Sequence, residues 1–413
     1  MNKKIDAIEE QYINHPYPEP IENMDEMIEM YNYAQISGMD ILWRKIFPEK
    51  EYNENIDVLI AGCGTNQAIY HALKFPKSKN YAIDVSQSSL NHVKKMIKKF
   101  GIKNLEVEKK DIIHLDKNQK FDYIVSTGVI HHTKDPLKSL RSLVDVTKND
   151  GSLFIMVYAI FLRHGIYYLQ DAFKYLDLKP TNKGVNLIRN LIRLLPKNHY
   201  AHNYINQIQN TFGTQDLSFD AGVVDTFLNA RDKAYDIYEL KELIEKSGAF
   251  FQCWQENNFY YRDLINFEKE PNLNAVYENL GPWEKADLTQ KLDPSTGKFS
   301  FILRKNKKFE HIWFEKNKIE SKNYVYTQPL LSNLDPLDLK NNSGGTIGNR
   351  KVQIKLDVEE RIIWNNLNGQ ISNILEKTNS EFKKNNIKEI SLNSLINTLH
   401  LFWRRGRIDF SYK

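Results

Sequence analysis

The 413-residue chain carries 57 basic and 52 acidic side chains, a formal net charge of +5, with 41% hydrophobic and 26% charged residues. That profile excludes a disordered chain, and so small an excess of base is not by itself a nucleic-acid footprint. Two cysteines, Cys63 and Cys253, are too few for a disulfide framework, a thiolate zinc site or an iron–sulfur cluster.

At roughly 100–200 residues per domain, the length predicts two or three domains. Met1–Glu10 has no apolar core, which predicts no signal peptide. The longest apolar run, Leu153 to Leu162, is broken by Arg163 and His164 and falls short of the ~18 residues a membrane span needs. A cytoplasmic location is expected. Residues 1–54 read as helix and loop, a cap segment in which Pro16 and Pro18 enforce an extended stretch.

From 56 to 158, strands alternate with helices. Strands are expected at Ile56–Ala61, Tyr81–Asp84, Leu105–Glu108, Phe121–Ser126 and Ser152–Tyr158, the last entered by a turn at Asn149-Asp150-Gly151. Ser86 caps a helix with Leu90, Val93, Ile97 and Phe100 on one face, ended by Gly101. Asp135-Pro136 opens another with Leu137, Leu140 and Val144. Such alternation implies a parallel sheet covered on both faces. Residues 160–215 read as a helical lid or packing layer. After a helix at Tyr238–Lys246, strands at Phe250–Trp254 and Phe299–Leu303 bring the sheet to seven.

The expected domain therefore runs over 55–305, with insertions at about 160–235 and 257–298. Residues 306–350 read as a linker with a flexible loop at Asn341–Gly345. In 351–413, a strand (Val352–Leu356), a helix boxed by Asp357 and Glu360, an apolar-faced helix through Leu392–Trp403, Gly406 and a strand at Ile408–Tyr412 read as a small winged-helix-like unit.

Four motifs fall at the ends of successive strands. Ala61-Gly62-Cys63-Gly64-Thr65-Asn66 is a glycine turn that lets backbone approach a ligand. Asp84, twenty residues after Gly64, suits both ribose hydroxyls of an adenosine. Asp111-Ile112 suits an adenine amino group and ring face. Phe121-Asp122-Tyr123 leads into Thr127-Gly128-Val129-Ile130-His131-His132. A nicotinamide enzyme usually has a third glycine to seat a pyrophosphate, and Gln67 stands in that place.

Over roughly 55–160 these motifs resemble the class I S-adenosylmethionine-dependent methyltransferases. Tyr12, Pro16-Tyr17-Pro18, Met156-Val157-Tyr158, Gly165-Ile166-Tyr167, Asp225–Leu228 and Arg231–Tyr235 resemble a bacterial subgroup that includes the rickettsial-type protein lysine methyltransferases. The resemblance implies a Rossmann-like fold and S-adenosylmethionine as cofactor. It implies a binding set of Tyr12, Tyr17, Ala61, Gly62, Cys63, Gly64, Thr65, Gln67, Asp84, Val85, Ser86, Asp111, Ile112, Thr127, Gly128, Val129 and Tyr158. Asn66 departs from the family, where glycine is usual, and the chain is shorter than the rickettsial enzymes.

Methyl transfer from a sulfonium is an in-line displacement, and aromatic faces such as Tyr12, Tyr17 and Tyr158 suit the cation. His131 and His132, expected at a loop rim, are candidate bases, with packing against the cofactor or a hydrogen bond to backbone as the alternative, and Asp225 is a candidate for orienting a basic acceptor; Asp232 is weighed alongside it. Both aspartates are expected to flank a helix, with solvated or capping roles as the alternative. No metal is expected. The expected partner is a methyl acceptor, a protein side chain (lysine first) or else a small molecule, and a homodimer is left open. A DNA-binding tail through Arg404, Arg405 and Arg407 is the third reading; positive charge at a helix end accounts for these more simply.

Overall fold

The computed structural model describes residues 6–26, 39–212, 216–257, 260, 270–294, 296–306, 324–327, 346–347, 350–351, 356–404 and 408–412. The sequence-expected loop at 341–345, the strand residues 352–355, and Arg405, Gly406 and Arg407 lie outside them. The chain divides into two compact units: residues 1–29, 54–250 and 290–307, and residues 30–53, 251–289 and 308–413.

The first unit opens with α1 (Ala7–Asn14), capped by the Asp6 side chain accepting from Ile8 N. The alternation read from the sequence follows: β1 (Asp57–Ala61), α2 (Gln67–Lys74), β2 (Lys79–Asp84), α3 (Gln87–Phe100), β3 (Leu105–Lys109), β4 (Phe121–Thr127), α4 (Pro136–Val146) and β5 (Thr147–Tyr158). The stop and start signals act as their chemistry requires. Ser86 accepts from Ser89 N, Gly101 takes the left-handed conformation at φ 63°, and Asp135 accepts from Lys138 N ahead of Pro136.

Five further helices follow: α5 (Ile160–Tyr175), α6 (Asn182–Leu194), α7 (Ala201–Phe212), α8 (Asp220–Phe227) and α9 (Ile237–Ser247). The insertion helices α5–α8 build their own apolar core from residues such as Ile166, Phe173, Val185, Ile188, Val224 and Phe227. Helix α5 lies close against the start of α7 because Gly165 has no side chain: a Cβ there would sit 2.2 Å from Ala201 N.

With β6 (Phe250–Trp254) and β7 (Lys298–Arg304), the sheet has seven strands in the order β3-β2-β1-β4-β5-β7-β6. The β1–β2, β1–β4, β2–β3 and β4–β5 pairings are parallel, as expected, but β7 pairs antiparallel with β5, Phe154 opposite Ile302. The sheet is therefore mixed. Asn149-Asp150-Gly151 is not the turn expected of it. It lies inside β5, where the register with β4 jumps from Phe121↔Thr147 to Tyr123↔Ser152, so the extra residues form a bulge. The strand centres Val58–Ala61, Tyr123–Ser126 and Leu153–Ile155 are fully buried, as strands covered on both faces must be.

The second unit holds α10 (Met39–Ile46), α11 (Pro271–Asn279), most of α12 (Pro282–Leu292), α13 (Val358–Asn365), α14 (Ile371–Lys384) and α15 (Leu392–Arg404). Asp357 and Glu360 form the expected capping box. Leu395, Ile396, Leu399, Phe402 and Trp403 are the buried face of α15, while Leu392 is exposed. A three-stranded antiparallel sheet joins β8 (Tyr324–Thr327) to both β9 (Asn368–Gln370) and β10 (Asp409–Tyr412). Its central strand comes from the stretch that reads as linker in the sequence. Among the described residues no helix is long and apolar enough to cross a membrane.

Candidate functional site

Strands β1, β2, β4 and β5 end along one edge of the first unit, and the candidate residues lie in the loops that follow them. The glycine turn after β1 is sterically obligatory. Gly62 has φ 76° and a Cβ there would lie 2.3 Å from Val129 Cγ2; Gly64 has φ 53° and a Cβ there would lie 2.9 Å from the Tyr17 carbonyl. The Asp84 carboxylate is fixed from both sides, accepting from Gly64 N at 2.9 Å and Ser86 N at 2.7 Å. Burial holds this carboxyl above its usual range despite those bonds, and together with Asp84 it pushes the Cys63 thiol well up. Cys63 is thus a buried thiol held in its protonated form.

Ala61 is buried and Val85 half-buried beside this turn. Gln67, at the head of α2, donates to Thr127 Oγ1 at 3.2 Å and so ties the β1 and β4 loops together. Gly128 takes φ 75°, and Val129 packs over Gly62. Asp111 starts a 3-10 turn by accepting from Ile113 N, and Ile112 is 5% exposed beside it. Asp122 is at the opposite end: it is the second residue of β4, accepts from Asp57 N and pairs with Lys148 at 2.8 Å. It cannot serve a ligand above the sheet.

The N-terminal segment crosses these loops as a strap. The Tyr12 carbonyl accepts from Ser86 Oγ at 3.1 Å and Ser88 Oγ at 2.8 Å, and the Pro18 carbonyl accepts from Thr65 Oγ1 at 2.6 Å. Asn66 explains its departure from glycine here. Its φ of −120° needs no glycine, and its amide donates to the Glu19 carbonyl and accepts from Ile21 N. Sequence reading missed this role because the partner lies 47 positions away.

Beyond the strap is a second constellation. Asp225 is 3% exposed and accepts from Tyr12 Oη at 2.9 Å, Tyr158 Oη at 3.2 Å and Asn229 Nδ2 at 3.1 Å. Among the described residues it has no cationic partner. Burial first, and the Asp225 charge second, hold the phenols of Tyr12 and Tyr158 far above their ordinary range, so both remain donors. Tyr17 stands close enough to Tyr158 to act on it electrostatically. Asp225 lies within α8 rather than beside it, and neither Asp225 nor Asp232 is solvated; Asp232's side chain is 2% exposed.

His131 and His132 do not sit at a rim. Both are in a buried 3-10 turn, 0% and 3% exposed. The Arg231–Tyr235 segment holds that turn. His132 Nδ1 pairs with the Arg231 carbonyl at 2.6 Å, Arg231 donates to the His132 carbonyl, and Lys233 N donates to the His131 carbonyl. The His131 ring lies 4.0 Å from that of Tyr158, and among the described residues neither of its nitrogens has a protein partner. Burial, then His132 and Arg163, push its pKa well below the usual value, so it is neutral.

Ligand atoms of His131, His132 and Asp232 come within 4.8 Å of one another. The donor set does not suit a metal ion. Asp232 already accepts from Arg163, Tyr167 and Gln170, and the guanidinium supplies the positive charge that a metal would bring.

The fit to an adenosyl ligand is better. The crevice floor excludes a Cβ at Gly62 and Gly64, and one half-buried carboxylate is aimed by two backbone amides. Residues 52–186 match the methyltransferase domain family model. An uncharacterised protein of Synechococcus is 25% identical over 270 residues, 63% of each chain, so the match spans under two thirds of that relative. The (S)-coclaurine N-methyltransferase of Papaver somniferum is 25% identical over 123 residues, covering 30% of this chain and 34% of that one. PKMT2 from Rickettsia typhi, also solved with AdoHcy, superposes with a TM-score of 0.60 at 16% identity, over 92% of this chain and 75% of that one. Residues 52–186 thus match a methyltransferase domain, and the fold of the chain resembles that of Rickettsia typhi PKMT2.

Proposed function

We propose that this protein transfers a methyl group from S-adenosylmethionine to an amine nitrogen, with a protein lysine side chain as the first acceptor class. Gly62 to Thr65, Asp84, Val85, Ser86, Asp111 and Ile112 hold the nucleoside, and Gln67, Thr127, Gly128 and Val129 line the same crevice. The cofactor supplies a methyl carbon on a sulfonium, open to in-line displacement.

The observation that carries the acceptor class is the Asp225 carboxylate, buried among three neutral donors and, among the described residues, without a countercharge. A buried anion calls for a cation, and an arriving ammonium supplies one. An amine attacks only when neutral. Desolvation in a water-poor site favours the neutral amine, and a carboxylate oxygen of Asp225 is the acceptor for its proton. Tyr12 and Tyr158 then orient the acceptor and exclude water. His131 and His132 pack beside Tyr158. The name PKMT2 of the structural neighbour supports a protein acceptor. A small amine is the second reading, favoured by the coclaurine N-methyltransferase relative.

Incubating the full chain with methyl-labelled cofactor and cell extract, then separating protein from small molecules, distinguishes the two. Label on lysine supports the first reading and label on a small amine the second; label only on oxygen or sulfur rejects both. Asp225→Asn is expected to lower transfer by about 10²- to 10⁴-fold. Calorimetric affinity for S-adenosylhomocysteine should stay within about threefold, a shift of well under 1.4 kcal/mol.

A further inference from the structure

Arg163 stands in the first turn of α5 and is 0% exposed. Its guanidinium carbon lies 3.7 Å from the centroid of the Tyr158 ring. One terminal nitrogen donates to Asp232 Oδ2 at 2.9 Å, and the other donates to Tyr204 Oη at 2.7 Å. Asp232 also accepts from Tyr167 at 3.3 Å and Gln170 at 3.2 Å. Tyr158 in turn donates to Asp225 and has the His131 ring 4.0 Å away.

A buried ion pair is weak evidence of stability, because hydrophobic side chains of like volume often serve as well. What distinguishes this pair is where the cation points. Arg163 is planar and stacks on the phenol of Tyr158, which ends β5 and donates to Asp225. A lone guanidinium there would repel any cationic ligand in the crevice, since Coulomb energies fall slowly with distance in a low-dielectric interior.

We infer that Arg163 and Asp232 are positioning residues that act as one unit: the guanidinium fixes Tyr158 by stacking, and the carboxylate cancels its charge so that a sulfonium is not repelled. The inference rests on the proposed function and deepens it.

S-adenosylmethionine carries the sulfonium charge, and S-adenosylhomocysteine does not. Calorimetry on the full chain with each ligand therefore separates electrostatics from general damage. Asp232→Asn keeps the shape of the side chain and strands the guanidinium charge. It should raise the Kd for S-adenosylmethionine, relative to that for S-adenosylhomocysteine, on the order of tenfold. The double variant Arg163→Gln with Asp232→Asn removes both charges. It should return that ratio to within about twofold of the wild type while methyl transfer to extract stays depressed, as non-additive pairs do. Equal loss of both ligands in Asp232→Asn, or an unchanged ratio, overturns the inference.

Where Asp232→Asn does not fold, Arg163→Lys carries the test. Charge is kept and the stacking plane lost, so the ratio should hold while transfer falls at least about fivefold; undiminished transfer overturns the inference. A wild-type chain that binds neither ligand overturns the functional reading and this inference together. That outcome is told apart because it appears before any substitution is made.

Discussion

Single residues set the crevice floor, and glycine positions separate close packing from backbone conformation. Gly62 and Gly101 both have positive φ, 76° and 63°, but a Cβ at Gly62 would strike Val129 whereas one at Gly101 would meet nothing within 4 Å. Gly101→Ala should therefore cost about 1–2 kcal/mol, the left-handed backbone term alone. Gly62→Ala adds the clash, so its cost should exceed that of Gly101→Ala by at least about 1 kcal/mol. It should also weaken S-adenosylhomocysteine binding more than tenfold, a loss of over ~1.4 kcal/mol. Urea unfolding and calorimetry on both variants check this, and equal costs would contradict the packing argument. Asp84 was legible at this scale, because a carboxylate at a strand end is a local signal. The burial of His131 and His132 was not, since nothing adjacent to them in sequence shows that Arg231–Tyr235 covers their turn.

At the level of elements, the strap is the decisive feature. Its backbone is held by Thr65, Asn66 and Ser86, in loops that border the crevice, and by Ser88 in the first turn of α3. The surface ion pairs that add to it, Glu9 with Lys109 and Glu22 with Lys95, are solvent-exposed and contribute little. The Asn66 amide makes two of the buried bonds, each contributing about 1 kcal/mol. Asn66→Ala should thus speed dissociation of S-adenosylhomocysteine by roughly five- to thirtyfold. It should also expose the Pro16–Pro20 stretch to limited proteolysis. A dissociation rate equal to wild type in stopped flow would show that the strap does not retain the ligand. The sequence revealed extended backbone around Pro16 and Pro18, but not where it lands.

For the whole molecule, pH dependence follows from buried neutral histidines. Burial, then Lys74, takes the pKa of His71 in α2 down to about 3, and His131 is lowered as well. In the unfolded chain each titrates near 6.5. Below that value the unfolded state binds the extra protons, so stability falls as pH drops from 6.5 toward 3. Each histidine contributes a slope of up to ~1.4 kcal/mol per pH unit, and above 6.5 neither contributes any. Urea midpoints should therefore be flat from pH 7 to 8 and fall from pH 6.5 to 5. His71→Phe should shallow that fall, and an unaltered slope would remove His71 from the account. At this scale the chain also partitions differently from its sequence reading: residues 257–289, most of the insertion expected at about 257–298, group with 308–413, and β8 comes out of the expected linker.

The sequence by itself determined the order of strands and helices, their caps, the glycine turn and the Asp84 carboxylate. Each of these is written in hydrophobic period or turn chemistry within a few neighbouring residues. Only the tertiary structure decided that Tyr12 meets Asp225 across 213 positions, that Arg163 finds Asp232, and that β7 runs antiparallel to β5. Those choices depend on which surfaces meet once elements pack. A polar side chain inside an apolar pattern shows that a partner is needed, while the identity of that partner is fixed by the geometry of the fold.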